Sequence, residues 1–145
     1  MKSTFQSIKS IFQHPELGLL LIRLVVGGIL AFAGYSKFAA GTATLHAVGS
    51  KIDYLGLDVG SENVSTMFFG VLAAGSELVG GCLLVVGLLF RTSALFAFMT
   101  MLVATLSVVD SSNGDPSQFG YPMVMAGAVL GLLFTGPGRF AMQKD

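Results

Sequence analysis

A chain of 145 residues with only 11% charged residues cannot cover a water-soluble surface, because soluble domains carry about a quarter charged residues. Its mean hydropathy of +0.78 and its 53% of hydrophobic residues instead indicate a membrane protein. A formal net charge of zero, without a basic cluster, excludes the electrostatic footprint of a nucleic-acid-binding protein. The single cysteine excludes an internal disulfide and any Cys-x-x-Cys motif.

Four apolar stretches are long enough, or nearly so, to cross a bilayer, which takes about 20 mostly apolar residues. We predict spans at about residues 17–37, 66–90, 92–109 and 119–135. The segment before the first span contains Lys2 and Lys9 but no small-residue cleavage site, so we expect this span to be retained. The resulting prediction is a single all-α domain over residues 1–145, an integral membrane four-helix bundle.

The connections between the spans differ in length. Only Arg91 separates the second span from the third, which predicts a tight helical hairpin. The sequence "DSSNGDPSQ" joins the third span to the fourth and contains two turn signals, Asn-Gly and Asp-Pro. In the longest connection, apolar residues at helical spacing predict a short amphipathic helix lying on the bilayer surface. These residues are Leu45, Val48, Ile52 and Leu55.

The distribution of Lys and Arg predicts the orientation in the membrane. With the N-terminus inside, the cytoplasmic side carries five basic residues and the opposite side carries two. The first set is Lys2, Lys9, Arg91, Arg139 and Lys144, and the second is Lys37 and Lys51. We therefore expect both termini to lie in the cytoplasm.

Small residues repeat every four positions on two of the predicted spans. Gly127, Gly131 and Thr135 form such a ridge on the fourth span, and Gly70 and Ala74 form one on the second. Ridges of this kind allow helix backbones to approach closely inside a bilayer. We expect both ridges to contact neighbouring helices.

Two ionisable residues, Arg23 and Glu77, lie well inside predicted spans, where an unpaired charge costs roughly 2.5–3.5 kcal/mol on insertion scales. Both share a helix face with small residues, so we expect them to face other helices. Depths counted at about 1.5 Å per residue are compatible with a direct Arg23–Glu77 pair but do not require one. The two faces contain Arg23, Gly27, Leu30, Gly34 and Lys37 on the first span, and Gly70, Ala73, Glu77, Gly81, Leu84 and Arg91 on the second.

This polar pair has two interpretations. It can be an ion pair that only locks two helices, in which case desolvation can cancel much of its Coulomb gain. Alternatively, Glu77 binds a polar ligand or relays protons, and Arg23 controls its protonation, because charges inside membranes are functional candidates by default.

Other polar residues give weaker indications. Tyr35 and Tyr121 lie near the predicted outer interface, where they either belong to an aromatic belt or line a quinone headgroup pocket together with Lys37. The two histidines, His14 and His46, are far apart in the sequence and have no cysteine nearby, so we expect no metal site.

Three stretches resemble the DoxX-like family of membrane proteins: "RLVVGGILAFAGYSKF", "ELVGGCLLVVGLLFRTSALF" and "LLFTGPGRF", within residues 17–140. The resemblance implies a four-helix protein of bacterial plasma membranes, whose relatives include the membrane subunit of a thiosulfate:quinone oxidoreductase. The family's polar signature falls on Arg23, Lys37, Glu77 and Arg91, with Gly27, Gly34 and Gly81 in structural roles. Two features depart from the family pattern, since many relatives have a histidine near the end of the third span and some distant relatives use cysteine pairs.

These observations lead to three hypotheses. The first is a membrane subunit of a redox system that handles quinone or a small sulfur compound. It would act with quinone or a partner protein, because no residue set in this chain transfers electrons unaided. The second is a non-catalytic anchor or assembly factor whose Arg/Glu pair is purely structural. The third is a small-molecule carrier, which with four spans would need a homo-oligomer for alternating access. In each case the lipid bilayer is a partner and nucleic acid is not.

Overall fold

The computed structural model describes residues 14–60 and 63–143, and within them the regular structure is entirely helical. Four helices are long and apolar enough to cross a membrane, which confirms the predicted all-α membrane bundle. The helices are α1 (Pro15–Ala39), α2 (Thr42–Gly49), a 3₁₀ helix (Ser50–Leu55), α3 (Val64–Val86), α4 (Phe90–Ser111) and α5 (Pro116–Thr135). The predicted cytoplasmic residues Lys2, Lys9 and Lys144 lie outside the described residues.

The helix boundaries follow local backbone chemistry. Asn63 caps α3 by accepting a hydrogen bond from the Thr66 N–H, while the Thr66 hydroxyl accepts one from the Asn63 N–H. At its other end α3 ends at Gly87, which has a left-handed φ of 78°. The second span is therefore shorter than the predicted 66–90. The hairpin turn lies at residues 87–89, and Arg91 lies in the first turn of α4 rather than between the helices.

Antiparallel packing of α1 on α3 depends on glycines at the contact. A β-carbon added at Gly27 would lie 2.7 Å from the carbonyl oxygen of Gly81, and one added at Gly34 would lie 2.6 Å from that of Ala74. The two backbones can approach this closely only because side chains are missing there. The roles predicted for Gly27, Gly34 and Gly81 are therefore visible as helix contacts.

An apolar core joins this helix pair to α4 and α5. Its buried residues are Val26, Leu30, Leu84, Phe90, Ala94, Ala97, Met101, Met125, Ala126, Val129 and Leu132. The predicted ridge on α5 is outside this core: Gly127 and Gly131 are exposed, and a β-carbon at either would meet open space. The expectation that this ridge packs against another helix of the chain is wrong.

The segment formed by α2 and the 3₁₀ helix packs tightly against α3. A β-carbon at Gly49 would overlap the Thr66 carbonyl oxygen, and one at Gly70 would overlap that of Leu45. Gly70 therefore allows close contact between α3 and α2, and not between two membrane-spanning helices. A hydrogen bond of 2.7 Å joins His46 Nδ1 to the Thr66 hydroxyl oxygen.

The amphipathic helix predicted in this connection exists, but its apolar side faces the protein. Leu45 is buried, while Val48, Ile52 and Leu55 line a cavity beside α3 and α4. The Tyr54 hydroxyl donates a hydrogen bond of 3.1 Å to Asp110 Oδ2 at the end of α4. The apolar side of this segment thus covers a cavity of the protein.

Candidate functional site

Within the described residues, Arg23 binds backbone carbonyls and pairs with no carboxylate. Its guanidinium donates to the carbonyl oxygen of Pro137, and to those of Val85 and Phe140 at 3.2 Å each. Gly136 and Gly138, with φ of 79° and 72°, form the turn that follows α5 and presents these carbonyls. Arg23 is almost fully buried, so its charge is compensated by the carbonyl dipoles of the segment after α5 and of the end of α3.

Glu77 pairs with Lys37, and the direct pair with Arg23 that the sequence left open does not form. The glycine contacts between α1 and α3 explain this choice of partner. They place Gly34 opposite Ala74 and Leu78, close to the level of Glu77. Arg23 is about three helical turns, or roughly 16 Å, further along α1, where it lies beside Gly87. Lys37 is less than one turn beyond Gly34 and reaches the carboxylate.

The Lys37–Glu77 ion pair is asymmetric. The Lys37 ammonium donates a hydrogen bond to Oε2 of Glu77, whose side chain is completely buried, whereas the Lys37 side chain is 25% exposed. Oε1 of Glu77 is buried and has no hydrogen-bond partner among the described residues. A buried carboxylate oxygen without a donor is unusual, because leaving such a group unsatisfied costs free energy.

Lys37 and Glu77 line a cavity of about 290 Å³ between α3, α4 and the segment Val48–Leu55. Its polar residues are Lys37, Lys51, Ser76, Glu77 and Thr100, and most of the remaining lining is aliphatic or aromatic. The Ser76 and Thr100 hydroxyls are 2.8 Å apart and share a hydrogen bond. An apolar cavity with a few convergent polar groups is the usual form of a small-molecule site.

The cavity extends to the outer surface of the helices. Leu72 on α3 and Phe96 and Met99 on α4 line it and are each 42–50% exposed. Because α3 and α4 are both long, apolar, candidate membrane spans, this side of the cavity faces the lipid region. An amphiphilic molecule can therefore enter from the bilayer with its polar end toward Glu77.

Lys51 is also a site residue, although its sequence context indicated only a basic residue on the outer side of the membrane. It lines the cavity from the 3₁₀ helix and forms no ion pair with a described residue. Burial and the positive charge of Lys37 hold the pKa of Lys51 below its usual range, and Glu77 partly opposes this. A signal was present in the sequence, since Lys51 lies three residues after Val48 and four before Leu55, on the same helical face.

The other predicted site residues lie outside this cavity. Tyr35 and Tyr121 are 60% and 52% exposed and are not part of its lining, which is the placement expected of an aromatic belt. Arg91 is exposed in the first turn of α4. In residues 14–60 and 63–143, no group of three or more His, Cys, Asp or Glu side chains could hold a metal ion.

Comparison with protein families identifies one match: the family model described as DoxX matches residues 18–110, which is more than half of the chain. The match includes the Arg23, Lys37 and Glu77 positions and ends before the Gly-Pro-Gly turn. Comparison with curated proteins and with solved structures finds no match.

Proposed function

Because the chain belongs to the DoxX family of membrane proteins, we propose that it is the membrane subunit of a quinone-linked redox system and that its cavity holds the quinone headgroup. The observation that carries this proposal is the cavity lined by Lys37, Lys51 and Glu77, with apolar walls that extend to the lipid-facing surface of α3 and α4. It combines hydrogen-bonding groups with a route for an isoprenoid tail.

The size and chemistry of the cavity support a single-ring headgroup. A volume of about 290 Å³ is at the lower end of the range for ligand sites, about 300–1,000 Å³. Aromatic and thioether side chains, Phe69, Phe96 and Met99, can contact the face or edge of a ring. The ammonium of Lys51 and the paired hydroxyls of Ser76 and Thr100 can bind its oxygens.

We further propose that the protein lies in a bacterial plasma membrane with both termini in the cytoplasm. Lys37 and Lys51 are the basic residues on the predicted outer side, and both face the cavity rather than a loop. Arg91 and Arg139, in contrast, are exposed at the other end of the bundle. This difference supports the positive-inside orientation, in which the cavity would lie toward the outer half of the membrane.

Electrons would be exchanged with a partner redox protein. Reduction of a quinone to a hydroquinone takes two electrons and two protons, and the chain contributes one cysteine and no pair of thiols. Its own role in this proposal is to bind the headgroup and orient it. Lys37 and Glu77 can additionally hold or move a proton next to the bound ring.

The direct test is quinone binding by the purified protein in lipid nanodiscs. We expect saturable binding of ubiquinone-1 or of its reduced form, ubiquinol-1, with affinity reduced about tenfold or more by Ala104→Leu, which narrows the cavity. Tyr35→Phe and Ala39→Leu are matched controls, since both residues are exposed on α1 outside the cavity, and we expect both variants to bind normally.

Two results would overturn the proposal. If neither the oxidised nor the reduced form binds saturably, the non-catalytic anchor or assembly factor becomes the better explanation, and the Lys37–Glu77 pair is then a structural link between α1 and α3. If binding is lost in Tyr35→Phe and kept in Ala104→Leu, a quinone site exists but lies elsewhere on the protein.

A further inference from the structure

The hydrogen-bonding state of Glu77 distinguishes between the two redox forms of a quinone. Lys37 occupies Oε2, while Oε1 is buried without a donor among the described residues. An ionised carboxylate only accepts hydrogen bonds. The ligand group that satisfies Oε1 must therefore carry a donor.

We infer that the cavity selects the reduced form, a hydroquinone whose hydroxyl donates to Oε1 of Glu77, over the oxidised quinone. This inference rests on the proposed function and specifies the redox form of the ligand. A quinone has only carbonyl oxygens, which accept hydrogen bonds and repel a carboxylate. A hydroquinone hydroxyl donates to Oε1 and can still accept from a neighbouring donor.

The surroundings of Glu77 supply that second interaction. Lys51 lines the same cavity and, within the described parts of the chain, its ammonium forms no ion pair. An ammonium has three donors and no acceptor, so it can donate to the hydroquinone oxygen that gives its own proton to Glu77. Lys37 stays on Oε2, and its positive charge favours the ionised, accepting form of the carboxylate, whereas burial of the carboxylate opposes ionisation.

The size of the selection follows from the kind of hydrogen bond. Bonds to charged groups are the stronger ones, and one such bond corresponds to an affinity change of at least about tenfold. We therefore expect the hydroquinone to bind at least about tenfold more tightly than the quinone. For a two-electron couple, tenfold corresponds to a midpoint potential of the bound couple about 30 mV above that of the free couple.

The test measures dissociation constants of ubiquinol-1 and ubiquinone-1 for the protein in nanodiscs, without oxygen. The dimethyl ether of ubiquinol-1 is the matched ligand, because it keeps the ring oxygens and lacks both donors. We expect the quinol to bind at least about tenfold more tightly than the quinone or the dimethyl ether, and a quinol-to-quinone affinity ratio near one in Glu77→Gln, whose amide can donate to a carbonyl. Tyr121→Phe, outside the cavity, should keep the wild-type ratio.

Each outcome has a separate meaning. Equal affinity for the two redox forms, or tighter binding of the quinone or the dimethyl ether, overturns this inference and leaves the quinone-linked function intact. No saturable binding of any of the three molecules overturns both. If Glu77→Gln does not fold, the wild-type comparison of ubiquinol-1 with its dimethyl ether still decides the inference.

Discussion

Gly27 of α1 and Gly81 of α3 face each other across the helix contact. A β-carbon on Gly27 would lie 2.7 Å from the Gly81 carbonyl oxygen, and one on Gly81 would lie 2.5 Å from the Gly27 carbonyl oxygen. This reciprocal contact fixes the axial register of α1 and α3. The register in turn brings Lys37 to Glu77 and keeps Arg23 away from it.

Gly81→Ala should therefore destabilise the protein. The added methyl group meets backbone atoms, which cannot move without separating the helices, and overpacking of this kind costs about 1–3 kcal/mol. The free energy of unfolding in mixed micelles, titrated with SDS, measures the effect. Gly127→Ala is the control, since open space surrounds Gly127 and alanine favours a helix by up to about 1 kcal/mol. Equal stability of the two variants would show that the α1–α3 contact is looser than described.

Lys37→Met should lower the free energy of unfolding by more than the loss of the Lys37 contacts alone would. It leaves the buried Glu77 carboxylate without its partner, and breaking a buried pair costs about 3–5 kcal/mol, with the lower end expected because Lys37 is partly exposed. The double variant Lys37→Met/Glu77→Gln should recover much of this loss. A double-mutant cycle on the free energy of unfolding measures the coupling. If the effects of Lys37→Met and Glu77→Gln are additive, the ion pair is contradicted. As a control, Lys51→Met should show no comparable coupling to Glu77→Gln.

Arg23→Lys should loosen the segment after α5. Two guanidinium nitrogens share the carbonyls of Val85, Pro137 and Phe140, whereas a lysine is shorter and carries its donors on a single nitrogen. We expect it to leave at least one carbonyl unsatisfied, and each buried group left unsatisfied costs about 1–3 kcal/mol. We expect lower stability in SDS titration and faster trypsin cleavage after Arg139. Arg139→Lys, which changes an exposed side chain and keeps a cleavage site, is the control. Unchanged cleavage in Arg23→Lys would mean that the guanidinium does not hold this segment.

Alkaline pH should release the 3₁₀ helix from α4. The hydrogen bond that Tyr54 donates to Asp110 raises the pKa of the tyrosine above its usual value of about 10. The stabilisation is complete below that value and is lost as the pH rises through the raised pKa, because only the protonated hydroxyl donates. The chain has no tryptophan, so Leu55→Trp provides a specific fluorescence signal. Its emission should shift above about pH 10.

The matching control for this transition is Tyr54→Phe in the Leu55→Trp protein. Without the hydroxyl, the alkaline shift in emission should disappear, and the lower-pH spectrum should already resemble that of the loosened segment. An identical alkaline shift in both proteins would assign the change to other groups.

Periodicity and composition predicted the helices, but they could not predict the partner of each polar group. The spacing of Arg23 and Glu77 correctly indicated that both face the protein interior. Their axial offset depends on which glycines meet, and a count from uncertain span ends cannot supply it. The ridge at Gly127 and Gly131 shows the same limit, because small residues indicate that close packing is feasible without specifying a partner.

The cavity covered by the segment Val48–Leu55 could not be predicted from the sequence for a different reason. A short helix with an apolar stripe has the same pattern whether that stripe faces lipid or protein. In this protein the stripe faces the protein because the backbone of Gly49 contacts Thr66 and that of Gly70 contacts Leu45. Each pair is separated by more than fifteen residues in the sequence, so a local pattern cannot predict it. Lys51 lines the cavity only because this segment packs against α3.

The carbonyls that bind Arg23 also constrain how the protein is made. Pro137 follows Arg23 by 114 residues, so this carbonyl is synthesised long after the guanidinium that it binds. Until then Arg23 lacks part of its set of acceptors, and an unsatisfied charge in lipid is costly. Truncation after Thr135, which removes Pro137 and Phe140, should therefore destabilise α1 at the opposite end of the sequence.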